Sequence, residues 1–134
     1  MLGELIGEEQ GEITGTRVLA TDGGHAVVET TFQAAGTLLG TAEKDMGTYE
    51  AVMQADGTLF GEGQGVVMTQ DGGSLTWHGS GVGRFTDSGT VQWRGAIYYE
   101  TTAAAFERLT GIAVVFEFDT EESGKTAARL YEWK

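Results

Sequence analysis

Several side chains in this sequence are spaced so that they could do chemistry. Glu50 and Glu62 flank the turn sequence Ala55-Asp56-Gly57, and a three-residue loop there sets them directly opposite on adjacent strands. Facing carboxylates that lose water raise one another's proton affinity and can share a proton, as acid–base catalysis requires. On a solvated wall they only repel slightly, and a nearby arginine offsets that. Arg84, expected beside Phe60, and Arg94 fall on the same face. Glu132 is set on the face of Phe116, Phe118 and Leu130 when Glu122-Ser123-Gly124 is the last loop, which makes it a carboxylate near an open end. Glu62, Arg84 and Glu132 are therefore the candidate catalytic residues, although a structural role is the commoner fate of such groups. On the opposite face lie Tyr49, Trp77, Trp93 and Tyr99. Such rings either fill a core or line a pocket for an apolar molecule, which makes these four the candidate ligand-binding residues.

The histidines offer less. His78 is expected to pair with Val66 and Tyr98 as a surface or interface residue, and His25 lies beside a turn. Two histidines with no carboxylate at ligand spacing make no metal site. The chain has no cysteine, so disulfides, thiol chemistry and zinc-finger ligation are excluded. Gly61-Glu62-Gly63-Gln64-Gly65 lies within a strand and no helix follows it, unlike a phosphate loop. No serine elbow is present. No cofactor is expected.

The formal net charge of -12 repels phosphate backbones and anionic lipids, so neither nucleic acid nor membrane is an expected partner. No apolar run is long enough to span a bilayer, and the first residues do not resemble a signal peptide. A cytoplasmic protein is expected.

The elements that must position these residues are strands. Asp22-Gly23-Gly24, Ala55-Asp56-Gly57, Asp71-Gly72-Gly73, Asp87-Ser88-Gly89 and Glu122-Ser123-Gly124 each end in glycine between alternating runs. Three-residue hairpin loops favour glycine at their last, left-handed position. Strands are predicted near 11–21, 25–34, 46–54, 58–70, 74–86, 90–101, 112–121 and 125–133. Residues 35–45 and 103–111 read as connections, the second with a short helical turn. About eight sequential strands suit an all-β, antiparallel up-and-down meander closed into a barrel. The chain reads as a single domain, 1–134, with residues 1–10 as a loose N-terminal arm.

Loops of three residues place the aromatics and many glycines on one face, which should be the interior. Gly65 would face Gly79, Gly63 would face Gly81, and Gly61 would face Gly83. Bare backbone there lets strands bend, and it leaves either a filled core or an open lumen. Val52, Phe60, Val66, Met68, Val82, Ala96 and Tyr98 share the outer face with Glu62, Arg84 and Arg94. A solvated wall needs fewer apolar groups, so a homo-oligomer is expected.

Gly-Thr-Tyr-Glu at 47–50, Gly-Glu-Gly-Gln-Gly at 61–65, Gly-Val-Gly-Arg-Phe at 81–85 and the run Phe106 to Glu117 resemble a family of small uncharacterised bacterial and archaeal proteins. That family is similar to the allene oxide cyclase-like barrels, a group that includes the dirigent proteins. The resemblance covers most of the chain from about residue 11, on glycine-rich motifs of low specificity. It implies an eight-stranded, often oligomeric barrel whose lumen binds apolar small molecules in some members and guides a cyclisation in others. No catalytic residue of the cyclases matches a position here, so no activity is carried over. Three functions follow as expectations: a lumen-binding barrel, a cyclase or isomerase acting on an unsaturated molecule, or a structural, partner-binding module.

Overall fold

Alternating side chains and tight turns bring each strand back beside the last until the sheet meets itself. The computed structural model describes residues 2–134. Its strands are β1 (Leu2–Asp22), β2 (His25–Leu38), β3 (Thr41–Met53), β4 (Leu59–Thr69), β5 (Ser74–Phe85), β6 (Val91–Thr101), β7 (Val114–Thr120) and β8 (Lys125–Trp133). They pair in sequence order as a closed antiparallel barrel, the expected architecture. A 3₁₀ helix, Ala104–Leu109, lies in the β6–β7 connection.

Four expectations change, the smallest at the β1–β2 turn, which has two residues, Gly23-Gly24, because Asp22 pairs with His25. The first ten residues are not a loose arm: β1 pairs β8 from Leu2 opposite Trp133 to Glu12 opposite Lys125. This pairing closes the barrel, and without it β8 would present an open edge. Residues 35–45 are not a connection. β2 and β3 run on to a two-residue turn at Leu39-Gly40, whose φ values are +48° and +79°. A leucine in the left-handed region carries no turn signal, which hid this hairpin.

The remaining change is one of register. The β4–β5 loop closes between Thr69 and Gly73, with Gly72 left-handed at φ +88°, one residue earlier than expected. Moving a loop by one residue shifts cross-strand partners by two, and the side-chain period is also two. Gly63 therefore faces Gly79, Gly61 faces Gly81, Leu59 faces Gly83 and Gly65 faces Trp77. His78 faces Gln64 instead of Val66, and Phe60 faces Val82. The inward and outward sets are unchanged.

Inward side chains form two packed clusters. Phe106 and Leu109 of the 3₁₀ helix join Leu38, Val67, Leu75, Tyr99 and Val114 in one, plugging the end of the barrel that holds the Leu39-Gly40 turn. Phe32, Leu59, Trp93, Phe118 and Ala128 form the other, and Trp77 and Phe116 pack against both.

Candidate functional site

Register brings three acids to the inside of the wall. Glu9 of β1 faces Gly36 of β2, which faces Glu43 of β3. One step along, Gly11 faces Ala34, which faces Asp45. Residues so paired share a pleat, so Glu9, Glu43 and Asp45 all point inward. Gly36 has no side chain to separate them, and a Cβ there would clash with the Glu8 carbonyl. All three are buried, at 7%, 4% and 6% exposure.

The cluster has few donors. Trp77 Nε1 donates to Asp45 Oδ1 at 2.9 Å. Neither Glu43 oxygen meets a donor. Glu9 lies within hydrogen-bonding reach of Glu43 and Asp45, and two carboxyls bond to each other when one keeps its proton. The eight Lys and Arg side chains are all exposed, so none of them balances these acids.

Electrostatics follow from that isolation. Burial, reinforced by the Asp45 charge and the Glu43 carboxyl, pushes the Glu9 pKa up to about 11. Glu43 is raised, chiefly by burial. Asp45 is raised by burial too, but the Trp77 N–H opposes the rise. Glu9 is thus a neutral acid at pH 7, with Asp45 the member whose anion is best solvated by the protein. Burial lifts Tyr99 well above its ordinary value, and the three carboxylates add to that.

Beside the acids is a cavity of about 80 Å³, walled by Glu9, Asp45 and rings that include Phe32, Tyr49, Trp77, Trp93 and Tyr99. Phe32 stacks on Trp77 with centroids 6.3 Å apart and meets Phe118 at 5.0 Å, while Tyr49 abuts Trp93 edge-on at 5.4 Å. Gly61, Gly63, Gly79 and Gly81 complete the wall as bare backbone. Missing side chains make room for the rings: a Cβ on Gly61 would lie 2.7 Å from Trp93, and one on neighbouring Gly65 would lie 2.3 Å from the Trp77 indole.

Tyr49, Trp77, Trp93 and Tyr99, the residues expected to bind a ligand, thus share one cavity wall. The candidate catalytic residues are not brought together. Glu62 faces Glu50 as expected, but its side chain is on the solvated wall, and its other neighbour is Ser80. Arg84 faces Gln92 and lies in the field of Asp56, away from Glu62, because the shifted loop moves it by two positions. Arg94 pairs with Asp119 at 2.9 Å. Glu132 shares the inward pleat with Val114, yet its carboxylate accepts from Arg108 at 2.8 Å, and the same guanidinium reaches Glu4 at 3.3 Å. His78 lies against Tyr98, ring centroids 5.6 Å apart. Among the described residues no group of three or more His, Asp or Glu side chains is arranged to hold a metal ion.

Sequence reasoning missed Glu9, Glu43 and Asp45. The signal was present: Glu43 and Asp45 continue the odd-numbered inward set of Gly47, Tyr49 and Ala51. It was lost because Glu9 fell in the supposed arm and the other two in the supposed connection.

No family model and no curated protein matches this chain. Solved structures share its fold. A beta-barrel like protein from Acinetobacter baumannii superposes with a TM-score of 0.85 at 10% identity, covering 100% of this chain and 96% of its own. A protein of unknown function from Clostridium acetobutylicum gives 0.84 at 10% identity, with 98% of both chains covered. An enzyme from Penicillium herquei gives 0.65 at 13% identity, covering 98% of this chain and 96% of its own. At such identities the likeness is one of fold. The chain has the barrel of small bacterial proteins whose function is unknown.

Proposed function

We propose that this protein binds a small, mostly apolar molecule in its barrel lumen and acts as a homo-oligomer. The observation that carries the reading is the cavity itself, an aromatic-walled space meeting buried carboxyls on one side. An eight-stranded barrel is just wide enough to be filled by its own side chains or to hold one small ligand. At about 80 Å³ the space is smaller than the roughly 150 Å³ apolar cavity that takes up benzene, so the ligand has few heavy atoms unless a ring moves aside. Glycines at 61, 63, 79 and 81 support the reading, because they let the rings seat against bare backbone and form part of the cavity wall.

Oligomerisation draws support from the outer wall, where Phe60, Val66, Val82 and Tyr98 are each about two-fifths exposed. A second reading, a cyclase or isomerase, draws on the neutral Glu9 acid. A carboxyl that keeps its proton at pH 7 in a ring-lined space is suited to donate a hydrogen bond to charge that develops on an unsaturated substrate.

Native mass spectrometry of gently purified protein, followed by titration with small alcohols and arenes read by tryptophan fluorescence, tests the reading. A saturable response that Ala128→Leu abolishes, by filling the cavity, is expected. No retained molecule and no saturable response to any probe would overturn lumen binding. Turnover of an unsaturated probe that Glu9→Gln removes without loss of binding would establish the enzymatic reading instead.

A further inference from the structure

Glu9, Glu43 and Asp45 bury six carboxyl oxygens in the lumen wall, and Trp77 Nε1 donates to one of them, on Asp45. Both Glu43 oxygens, on a side chain 4% exposed, lack any partner but the proton that Glu9 can offer. A buried acceptor left unsatisfied is costly, and shared protons can satisfy only part of such a set. The missing complement is a group with several donors and a positive charge. No Lys or Arg supplies it, since each is exposed.

The rest of the wall independently favours the same kind of group. The cavity beside the acids is walled by Trp77, Tyr99, Tyr49, Trp93 and Phe32. Ring faces are negative, and cations seated over them are attracted, most strongly where water is excluded. An anion would meet the buried acids there and no Lys or Arg. A bare metal ion would need an oxygen cage, and no such grouping exists among the described residues.

Resting on the lumen-binding reading, we propose that the ligand is a short primary amine, held as its ammonium ion by Asp45 and Glu9 with its hydrocarbon end among the rings. The ammonium offers three N–H donors to an acceptor-rich wall. Its positive charge also makes a second carboxylate tolerable, so the Glu9 proton leaves for solvent as the amine enters.

Isobutylammonium and its neutral isostere isobutanol form the test pair, with isobutyrate and sodium chloride as controls, each titrated at pH 8 by calorimetry and tryptophan fluorescence. We expect isobutylammonium to bind at least tenfold more tightly than isobutanol, with proton release measured as a dependence of heat on buffer ionisation. Asp45→Asn, which keeps an acceptor for Trp77, and Glu9→Gln should each erase that preference, read as the ratio of the two affinities. Isobutanol binding as tightly as the amine would overturn the amine assignment and leave lumen binding standing. Sodium competing with the amine at equal concentration would assign the cluster to an inorganic cation and overturn it as well. If no probe binds, both readings fall.

Discussion

Glu9 is a carboxylic acid whose surroundings hold its proton far above the ordinary range, at about 11 against 4.5. Between those values the folded chain keeps a proton that the unfolded chain has lost. Stability linked to Glu9 is therefore complete below about pH 4.5 and falls as pH rises toward 11, by at most about 1.4 kcal/mol per pH unit. The interval from pH 7 to 9 lies above the ordinary carboxylate range and below the raised Glu9 value, so it reads the buried cluster. Urea unfolding across that interval should show the wild type losing stability steadily and Glu9→Gln losing much less. A second residue-scale prediction concerns Trp77. A Cβ on Gly65 would overlap the indole, so Gly65→Ala must displace the ring and with it the bond to Asp45. Overpacking of this kind costs roughly 1–3 kcal/mol, and a changed tryptophan emission should accompany the loss.

At the scale of elements, most of the barrel was legible because two strong rules agree. Side chains alternate along a strand, and glycine marks the left-handed end of a three-residue loop. The loops at Gly57, Gly89 and Gly124 obey both. Where one rule fell silent, the reading failed. Asp71-Gly72-Gly73 offers two glycines, and sequence cannot say which turns the chain; the structure uses Gly72. Gly72→Ala should cost about 1 kcal/mol or more through strain at positive φ. Gly73→Ala meets chiefly the Thr69 hydroxyl, a side-chain end, so it should cost less in the same thermal melts. Leu39 turns the β2–β3 hairpin without any turn residue at its first position, and that one silence hid Glu43 and Asp45. Sidedness survived both errors, because parity is insensitive to shifts of two. The same level holds the end plug. Phe106 is fully buried, and Phe106→Ala should cost about 3–5 kcal/mol while opening that end of the lumen.

Across the whole molecule, the outside and inside of the barrel pose separate questions. The outer wall mixes exposed Phe60, Val82 and Tyr98 with Arg94, Asp119 and Glu117, a composition suited to contact between copies. Sedimentation should find an oligomer at micromolar concentration that the double substitution Phe60→Glu, Val82→Glu converts to monomer without loss of fold. A wild type that is monomeric throughout would remove oligomerisation from the account. The inside depends on three acids sharing a dry pleat, and everything said of ligand and chemistry follows from their burial. Carbon-13 NMR of the side-chain carboxyls, followed from pH 3 to pH 10, reads that burial directly. Glu9 is expected to keep its proton past pH 8, far above the ordinary carboxylate range. Ordinary titration of Glu9, Glu43 and Asp45 near pH 4 would place them in water and contradict the site.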